Sequence, residues 1–434
     1  MYCRMIRGVY MRANGELACY CGPGEEVVLG RMPVDGRPFD FVSDFYRNAA
    51  HTRVREAMAS GLPPHPGVCL KCIYFEPLEP PRLEALGSEI EWMHLEATSN
   101  CNLDCRFCIP RAERASFRTP PHFLPHKVYE AVVGSIARAG LGVRWMYFSG
   151  RGEPTLHPRL WDMVALAKNR LGTDFLVNTN GNASYDDAIV DSGLDKIKIA
   201  IDGVDQQTYV RYRRGGRLET ILKLTRAIAA RRAATGSATP RIIWQYILFN
   251  HNDSLRELEA IQRMALDLGV DEVLFKSTFS ADLSTFPLAD IPRLHPGMRT
   301  LDLIAMVSPD LADLDRRLAQ ARAEADPVRR LEPLLHVAKS VFRSFILGIE
   351  RKQLYNAYGG SGDVAMMTAM ARSHPEEYGP LLERLGPCLE AVAGACREAG
   401  RPGAARWYED FGAALGAAGA PGAPGAPGKE TARP

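Results

Sequence analysis

Cys101, Cys105 and Cys108 lie in the string SNCNLDCRFCIPRAERA with CxxxCxxC spacing. Three thiolates on a tight loop suit one iron–sulfur cluster with one iron left open to a further ligand. A structural zinc site usually takes four protein ligands, often as two CxxC-type pairs. A compact three-cysteine loop with Phe107 before its last cysteine fits zinc poorly.

The elements around this loop alternate. Strands are predicted over 91–97 (EWMHLEA), 143–149 (VRWMYFS), 174–178 (DFLVN), 196–201 (KIKIAI), 241–249 (RIIWQYILF) and 271–276 (DEVLFK). Helical spacing falls between them, over about 125–139, 158–170, 218–231 and 255–268. Short apolar strands alternating with helices imply a parallel sheet with right-handed crossovers. Six such units make an α/β fold with an open, partial (β/α)6 barrel, in which chemistry gathers at the C-terminal strand ends.

The cysteine loop resembles that of the radical S-adenosylmethionine (radical SAM) enzymes, whose core is such a partial barrel. The resemblance implies a [4Fe-4S] cluster held by Cys101, Cys105 and Cys108, with S-adenosyl-L-methionine (SAM) chelating the open iron. The cluster's electron then releases a 5′-deoxyadenosyl radical, which abstracts hydrogen from a substrate. Phe148-Ser149-Gly150-Arg151-Gly152-Glu153-Pro154 resembles the family's glycine–glycine–glutamate motif with Arg151 interposed. There Gly152 permits close backbone approach, and Glu153 is expected to accept from the methionine ammonium. Read without the resemblance, it is a plain βα turn. In Asn178-Thr179-Asn180-Gly181, Asn180 is expected to reach the SAM ribose or carboxylate, although an Asn-Gly turn explains the string equally well. Ala200-Ile201-Asp202-Gly203, followed by Arg213, resembles the fourth-strand segment. Asp202 is expected near the ribose and Arg213 on the methionine carboxylate, a charge-assisted bond. Ala200 stands where the family often has serine.

The first ninety residues carry a second cysteine set. Cys3 precedes a hairpin signalled by Asn14-Gly15, Cys19 and Cys21 follow, a helix is expected over 41–60, and Cys69-Leu70-Lys71-Cys72 closes the set. This order resembles a SPASM/twitch auxiliary-cluster module, here before the barrel rather than after it. The resemblance implies a second [4Fe-4S] cluster on Cys3, Cys19, Cys69 and Cys72, with Cys21 as the alternative to Cys19; a zinc knuckle is the competing reading. A fully ligated cluster does not bind SAM but passes electrons, so the expected reaction is oxidation. The sequence reading is dehydrogenation of a secondary alcohol on a sugar or aminocyclitol in antibiotic biosynthesis. Its rivals are redox-neutral epimerisation or dehydration of a sugar, with Cys21, Cys388 or Cys396 as thiol donors, and peptide modification. Burial in a helix is the commoner reading of Cys388 and Cys396.

The expected organisation is an auxiliary module at 1–85, the barrel at 86–280, a helical region at 281–415 that either caps the barrel or serves packing or an oligomer surface, and a disordered Gly/Ala/Pro tail at 416–434. Hydrophobic residues at 46% and charged residues at 24% suit a soluble globular chain. A net charge of +2 argues against nucleic acid as partner. The absence of a long apolar run or signal-like N-terminus argues against membrane and secretion. With ten cysteines, a reduced, cytoplasmic setting is expected. The expected partners are a small carbohydrate-like substrate and a flavodoxin or ferredoxin as electron donor.

Overall fold

The computed structural model describes residues 2–3, 7–19, 27–72, 75–76, 88–108, 120–278, 282, 284–302, 310–351 and 363–419. The chain begins with β1 (Tyr2–Cys3), β2 (Gly8–Met11), β3 (Glu16–Ala18) and β4 (Val28–Arg31), then α1 (Ala49–Ala59), α2 (Pro66–Cys69) and β5 (Phe75–Glu76). The barrel follows as β6 (Ile90–Leu95), α3 (His126–Arg138), β7 (Val143–Phe148), α4 (Leu160–Leu171), β8 (Asp174–Thr179), α5 (Ala188–Asp191), β9 (Lys196–Ala200), α6 (Gln206–Tyr212), α7 (Leu218–Thr235), β10 (Arg241–Ile247), α8 (Leu255–Asp267), β11 (Glu272–Lys276) and β12 (Met298–Leu301). The C-terminal region holds α9 (Leu311–Ala323), α10 (Pro327–Arg351), α11 (Asp363–Ser373), α12 (Pro375–Glu398) and α13 (Pro402–Gly419).

The six predicted barrel strands are present, parallel and sequential, in one sheet of order β12-β11-β10-β9-β8-β7-β6-β2-β3-β4. Together they form the partial barrel. Their side chains alternate. Met93, Phe148, Val177, Ile199, Trp244 and Phe275 belong to the core packed under the helices. The intervening positions, including His94, Tyr147, Asn178, Lys198, Gln245 and Lys276, therefore point into the lumen. The lumen mixes these polar groups with apolar ones such as Trp145, Leu176, Ile243 and Leu274, unlike the branched apolar filling of a closed eight-stranded barrel.

Two expectations change here. The N-terminal hairpin is not detached from the barrel: β2 pairs in parallel with β6, and β3 and β4 continue the same sheet. Gly8 makes this junction possible, because a Cβ there would lie 2.1 Å from the Trp92 ring. β12 also adds a parallel strand beyond β11, past the expected barrel limit at 280. The predicted Asn14-Gly15 turn is present, with Gly15 at φ +87°. The helix expected over 41–60 is split into a π-helical turn at Val42–Tyr46 and α1, which Asn48 caps by accepting from the His51 amide at 2.9 Å.

The C-terminal helices pack as the second of the two expected readings has it. They share a separate core with Leu29, Val54, Met58, Leu62 and Leu70 of the N-terminal segment. Cys388 and Cys396 are fully buried in that core. The Cys388 thiol donates to the Leu334 carbonyl at 3.1 Å, and burial pushes its pKa up to about 12. Both are packing residues, not thiol donors facing a substrate. The expected tail begins too early, since 416–419 form the last turn of α13; 420–434 lie outside the described residues.

Candidate active site at the strand ends

The cysteine loop leaves the C-terminal end of β6 and is pinned at several points. The Asp104 and Arg106 amides donate to the Arg214 and Tyr212 carbonyls at 3.0 and 2.9 Å. Phe107 packs against Tyr212 and Phe249, with ring centroids 5.9 and 5.7 Å away. The three thiols sense one another: burial pushes the Cys105 thiol up, the Arg213 charge opposes this, and Cys108 and Cys101 add to the rise. The described residues contain no tight grouping of three or more His, Cys, Asp or Glu side chains that would hold a single metal ion. A four-iron core spans several ångströms and holds its ligands farther apart than one ion does. Two donors face the sulfurs. Asn180 Nδ2 lies 3.9 Å from Cys101 Sγ, and Arg213 Nη1 lies 3.8 Å from Cys105 Sγ. Donors to ligand sulfurs stabilise the added negative charge of a reduced cluster. Thiols that repel one another and face fixed N–H donors suit an anionic cluster.

The glycine loop lies directly against the cysteine loop. A Cβ on Gly152 would sit 1.9 Å from the Thr98 carbonyl oxygen and 2.7 Å from that of Asn100. The Glu153 amide donates to the same Asn100 carbonyl at 2.7 Å. The close approach that requires glycine is thus to the chain's own backbone. Glu153 is 3% exposed. Its Oε1 accepts from the Thr155 hydroxyl and amide and from the Thr179 hydroxyl, at 2.7, 3.1 and 2.7 Å. Its Oε2 accepts from the Asn180 amide at 2.7 Å. Burial pushes this carboxyl up, and these bonds oppose the rise. Glu153 therefore ties the glycine loop to the end of β8.

Asp202 and Arg213 do meet, but each other. Arg213 Nε donates to Asp202 Oδ2 at 2.5 Å, and the Ile247 amide donates to Oδ1 at 2.6 Å. Asp202 is fully buried. Asp202 thus holds Arg213 against the cysteine loop. Arg213, expected on the methionine carboxylate, is committed to Asp202 and Cys105. Asn180, buried, bridges from Glu153 to the loop through Asn102 Oδ1 at 2.8 Å.

Sequence reasoning missed Glu96, one residue beyond β6. Its carboxylate accepts from the Arg151 amide at 2.9 Å and from the Tyr10 hydroxyl at 3.4 Å, joining the glycine loop to the N-terminal hairpin. It also missed the lumen lysines. The alternation in Lys196-Ile197-Lys198-Ile199 and the lysine ending Asp271–Lys276 were the available signals.

In the second cysteine set, Cys19 lies near Cys72. Cys19 follows β3; burial pushes its thiol up, and Cys72 adds to the rise. Cys69 and Cys72 line the second core, and the Cys72 amide donates to the Cys69 carbonyl at 3.0 Å. Lys71 pairs with Asp363 at 3.0 Å, and Arg343 donates to the Cys72 carbonyl. The backbone of Cys3 pairs with Phe75, three residues past Cys72; its side chain, and all of Cys21, lie outside the described residues.

The Radical SAM superfamily description matches residues 95–239. GTP 3′,8-cyclase of Chlorobaculum tepidum is 30% identical over 143 residues, 32% of this chain and 41% of that protein. The tungsten-containing aldehyde ferredoxin oxidoreductase cofactor-modifying protein of Pyrococcus furiosus is 27% identical over 192 residues, 43% of this chain and 51% of that protein. The chain thus spans about half the length of these curated relatives. Streptococcus suis SuiB bound to S-adenosylmethionine aligns with a TM-score of 0.33 at 15% identity, over 54% of this chain and 47% of that one. No helix among the described residues is long and apolar enough to cross a membrane. The matched segment contains the cysteine loop, the glycine loop and the strand ends that meet at one mouth, and it is this segment that matches the radical SAM superfamily, whose members generate radicals with SAM and a [4Fe-4S] cluster.

Proposed function

We propose that the chain is a radical SAM oxidoreductase that dehydrogenates a secondary alcohol of a small sugar-like substrate. The observation that carries this reading is the presence of two separate cysteine groups. Cys101, Cys105 and Cys108 stand at the barrel mouth, while Cys19, just after β3, lies near Cys72, which with Cys69 packs against the second core, and Cys3 stands on β1, which pairs with β5 just past Cys72.

When bound, the first cluster supplies the electron that cleaves SAM to methionine and a 5′-deoxyadenosyl radical. Asn180 and Arg213 hold the thiolates, and Glu153 and Glu96 fix the glycine loop beside them. The hydrogen atom on the carbinol carbon passes to the radical and gives 5′-deoxyadenosine. The hydroxyl proton would leave to solvent or a base, and a second iron–sulfur cluster, if held by Cys19, Cys69, Cys72 and Cys3, would accept the remaining electron. The products are a ketone, methionine and 5′-deoxyadenosine.

The second group starts two strands from β6, at the end of β3. β3 runs away from the mouth, and Ala18 is opposite Tyr10, itself opposite His94. At about 3.3 Å per residue, Cys19 lies roughly 7 Å below the level of Leu95, and two strands away it is displaced sideways by about 10 Å. That separation suits electron transfer and not direct contact with a substrate.

The test is the iron and sulfide content of anaerobically reconstituted full chain, beside a Cys101→Ala/Cys105→Ala/Cys108→Ala variant. About eight irons in the parent and about four in the variant are expected. A variant without iron would remove the electron acceptor, and a redox-neutral reaction would replace the oxidation.

A further inference from the structure

We infer that Lys198 and Lys276 form an anion-recognition site in the barrel lumen, which takes a carboxylate or phosphate group of the substrate. The inference rests on the reading that the lumen holds the substrate.

The two lysines share the lumen face. Lys198 is level with Ile243, and Ile243 with Glu272. Lys276 stands four residues higher on β11, level with Ile247. Their outward neighbours Ile197, Ile199 and Phe275 fill the core. Neither ammonium makes an ion pair or hydrogen bond with the described residues. The acidic groups that would neutralise them are already committed. Glu272 pairs with Arg299 at 3.2 Å, and Asp202 pairs with Arg213. The two ammonium groups thus share the lumen face, offset by four residues along the strands, and an anion bound between them would offset their mutual repulsion. The pKa of Lys198 is accordingly held down at about 8, by burial first and by Lys276 second. Burial also lowers that of Lys276.

A neutral partner stands beside them. Asn178 pairs in register with Lys198 on the adjacent strand, and its Oδ1 is buried without a hydrogen-bond partner. A buried acceptor without a donor favours a ligand that brings a hydroxyl. The lumen thus asks for a small molecule with an anionic group and a hydroxyl near it. A polycationic aminocyclitol would meet two ammonium groups and be rejected. Among sugar-like substrates the geometry points to sugar acids and sugar phosphates.

Amine acylation tests the site without turnover. A lysine with a lowered pKa acylates faster than an ordinary one, and an anion bound against it slows the reaction. Reconstituted full chain is treated with acetic anhydride at pH 8, and acetylation of Lys198 and Lys276 is followed by peptide mass spectrometry. Inorganic phosphate and acetate serve as probes, against sodium chloride at equal ionic strength. At ten times the probe's dissociation constant, labelling of both lysines is expected to slow about tenfold, since about 90% of sites are filled. Protection by phosphate alone identifies a phosphate site, and protection by acetate alone a carboxylate site. Lys276→Met is expected to abolish protection at Lys198. Equal labelling in probe and chloride would overturn the inference. Full protection by SAM alone would also overturn it, because the anion would then be the methionine carboxylate. A protein that fails to cleave SAM still yields the labelling result, so the two readings fail separately.

Discussion

Replacing Gly152 with alanine should damage the site from its centre. The added Cβ would lie 1.9 Å from the Thr98 carbonyl oxygen and 2.7 Å from that of Asn100. Both are backbone atoms at the root of the cysteine loop, so no side-chain rotation relieves the clash. The glycine loop must retreat by about 1.5 Å to reach ordinary contact distance. That movement stretches the 2.7 Å bond from the Glu153 amide to Asn100. Overpacking of this kind costs about 1–3 kcal/mol, and the hydrogen bond about 1 kcal/mol more. A misplacement of about 1 Å costs a rate of the order of 100-fold. The assay is urea unfolding followed by tyrosine and tryptophan fluorescence, together with dithionite-driven formation of 5′-deoxyadenosine. Gly142→Ala is the control, because a Cβ there meets nothing within 4 Å. Gly152→Ala is expected to lose about 2–4 kcal/mol and to fall about 100-fold in SAM cleavage. Wild-type stability and cleavage in Gly152→Ala would refute the close-approach argument.

Asp202→Asn and Arg213→Gln each strand a buried charge, and each is expected to cost about 3–5 kcal/mol, with the double variant costing less than the sum; a denaturation double-mutant cycle reads the coupling. Glu153→Gln turns an N–H₂ group toward at least one donor, the Asn180 amide when it takes the Oε2 position, and should cost about 1–3 kcal/mol in the same assay. His51 is 2% exposed, and burial lowers its pKa to about 4. The unfolded state therefore binds a proton that the folded state does not between about pH 6.5 and 4, and stability falls as pH falls through that window. His51→Leu should flatten this dependence by about 1 kcal/mol per pH unit, measured as the urea midpoint from pH 7 to 5.

The barrel was legible because each strand is short, apolar and followed by a helix of the right spacing. The lumen was not. The isoleucines of Lys196-Ile197-Lys198-Ile199 suggested only a buried strand, and it takes the neighbouring strands to show which face is polar. The cysteine loop was read from spacing, which one stretch of chain contains entirely. The roles of Glu153, Asp202 and Arg213 were not, because they depend on partners 26, 11 and 108 residues away: Thr179, Arg213 and Cys105. The hairpin turn at Asn14-Gly15 was visible, but its parallel pairing with β6 joins segments about eighty residues apart and has no local signature. The C-terminal helices were recognised by period, and their packing on the N-terminal segment, not over the barrel mouth, followed from contacts of the same long range.

The most direct test is reductive cleavage of SAM by the anaerobically reconstituted full chain, compared with the Cys101→Ala/Cys105→Ala/Cys108→Ala variant. The account predicts equal amounts of methionine and 5′-deoxyadenosine from the parent and none from the variant, while the variant keeps about four irons. Cleavage by the variant, or none by an iron-loaded parent, would contradict it.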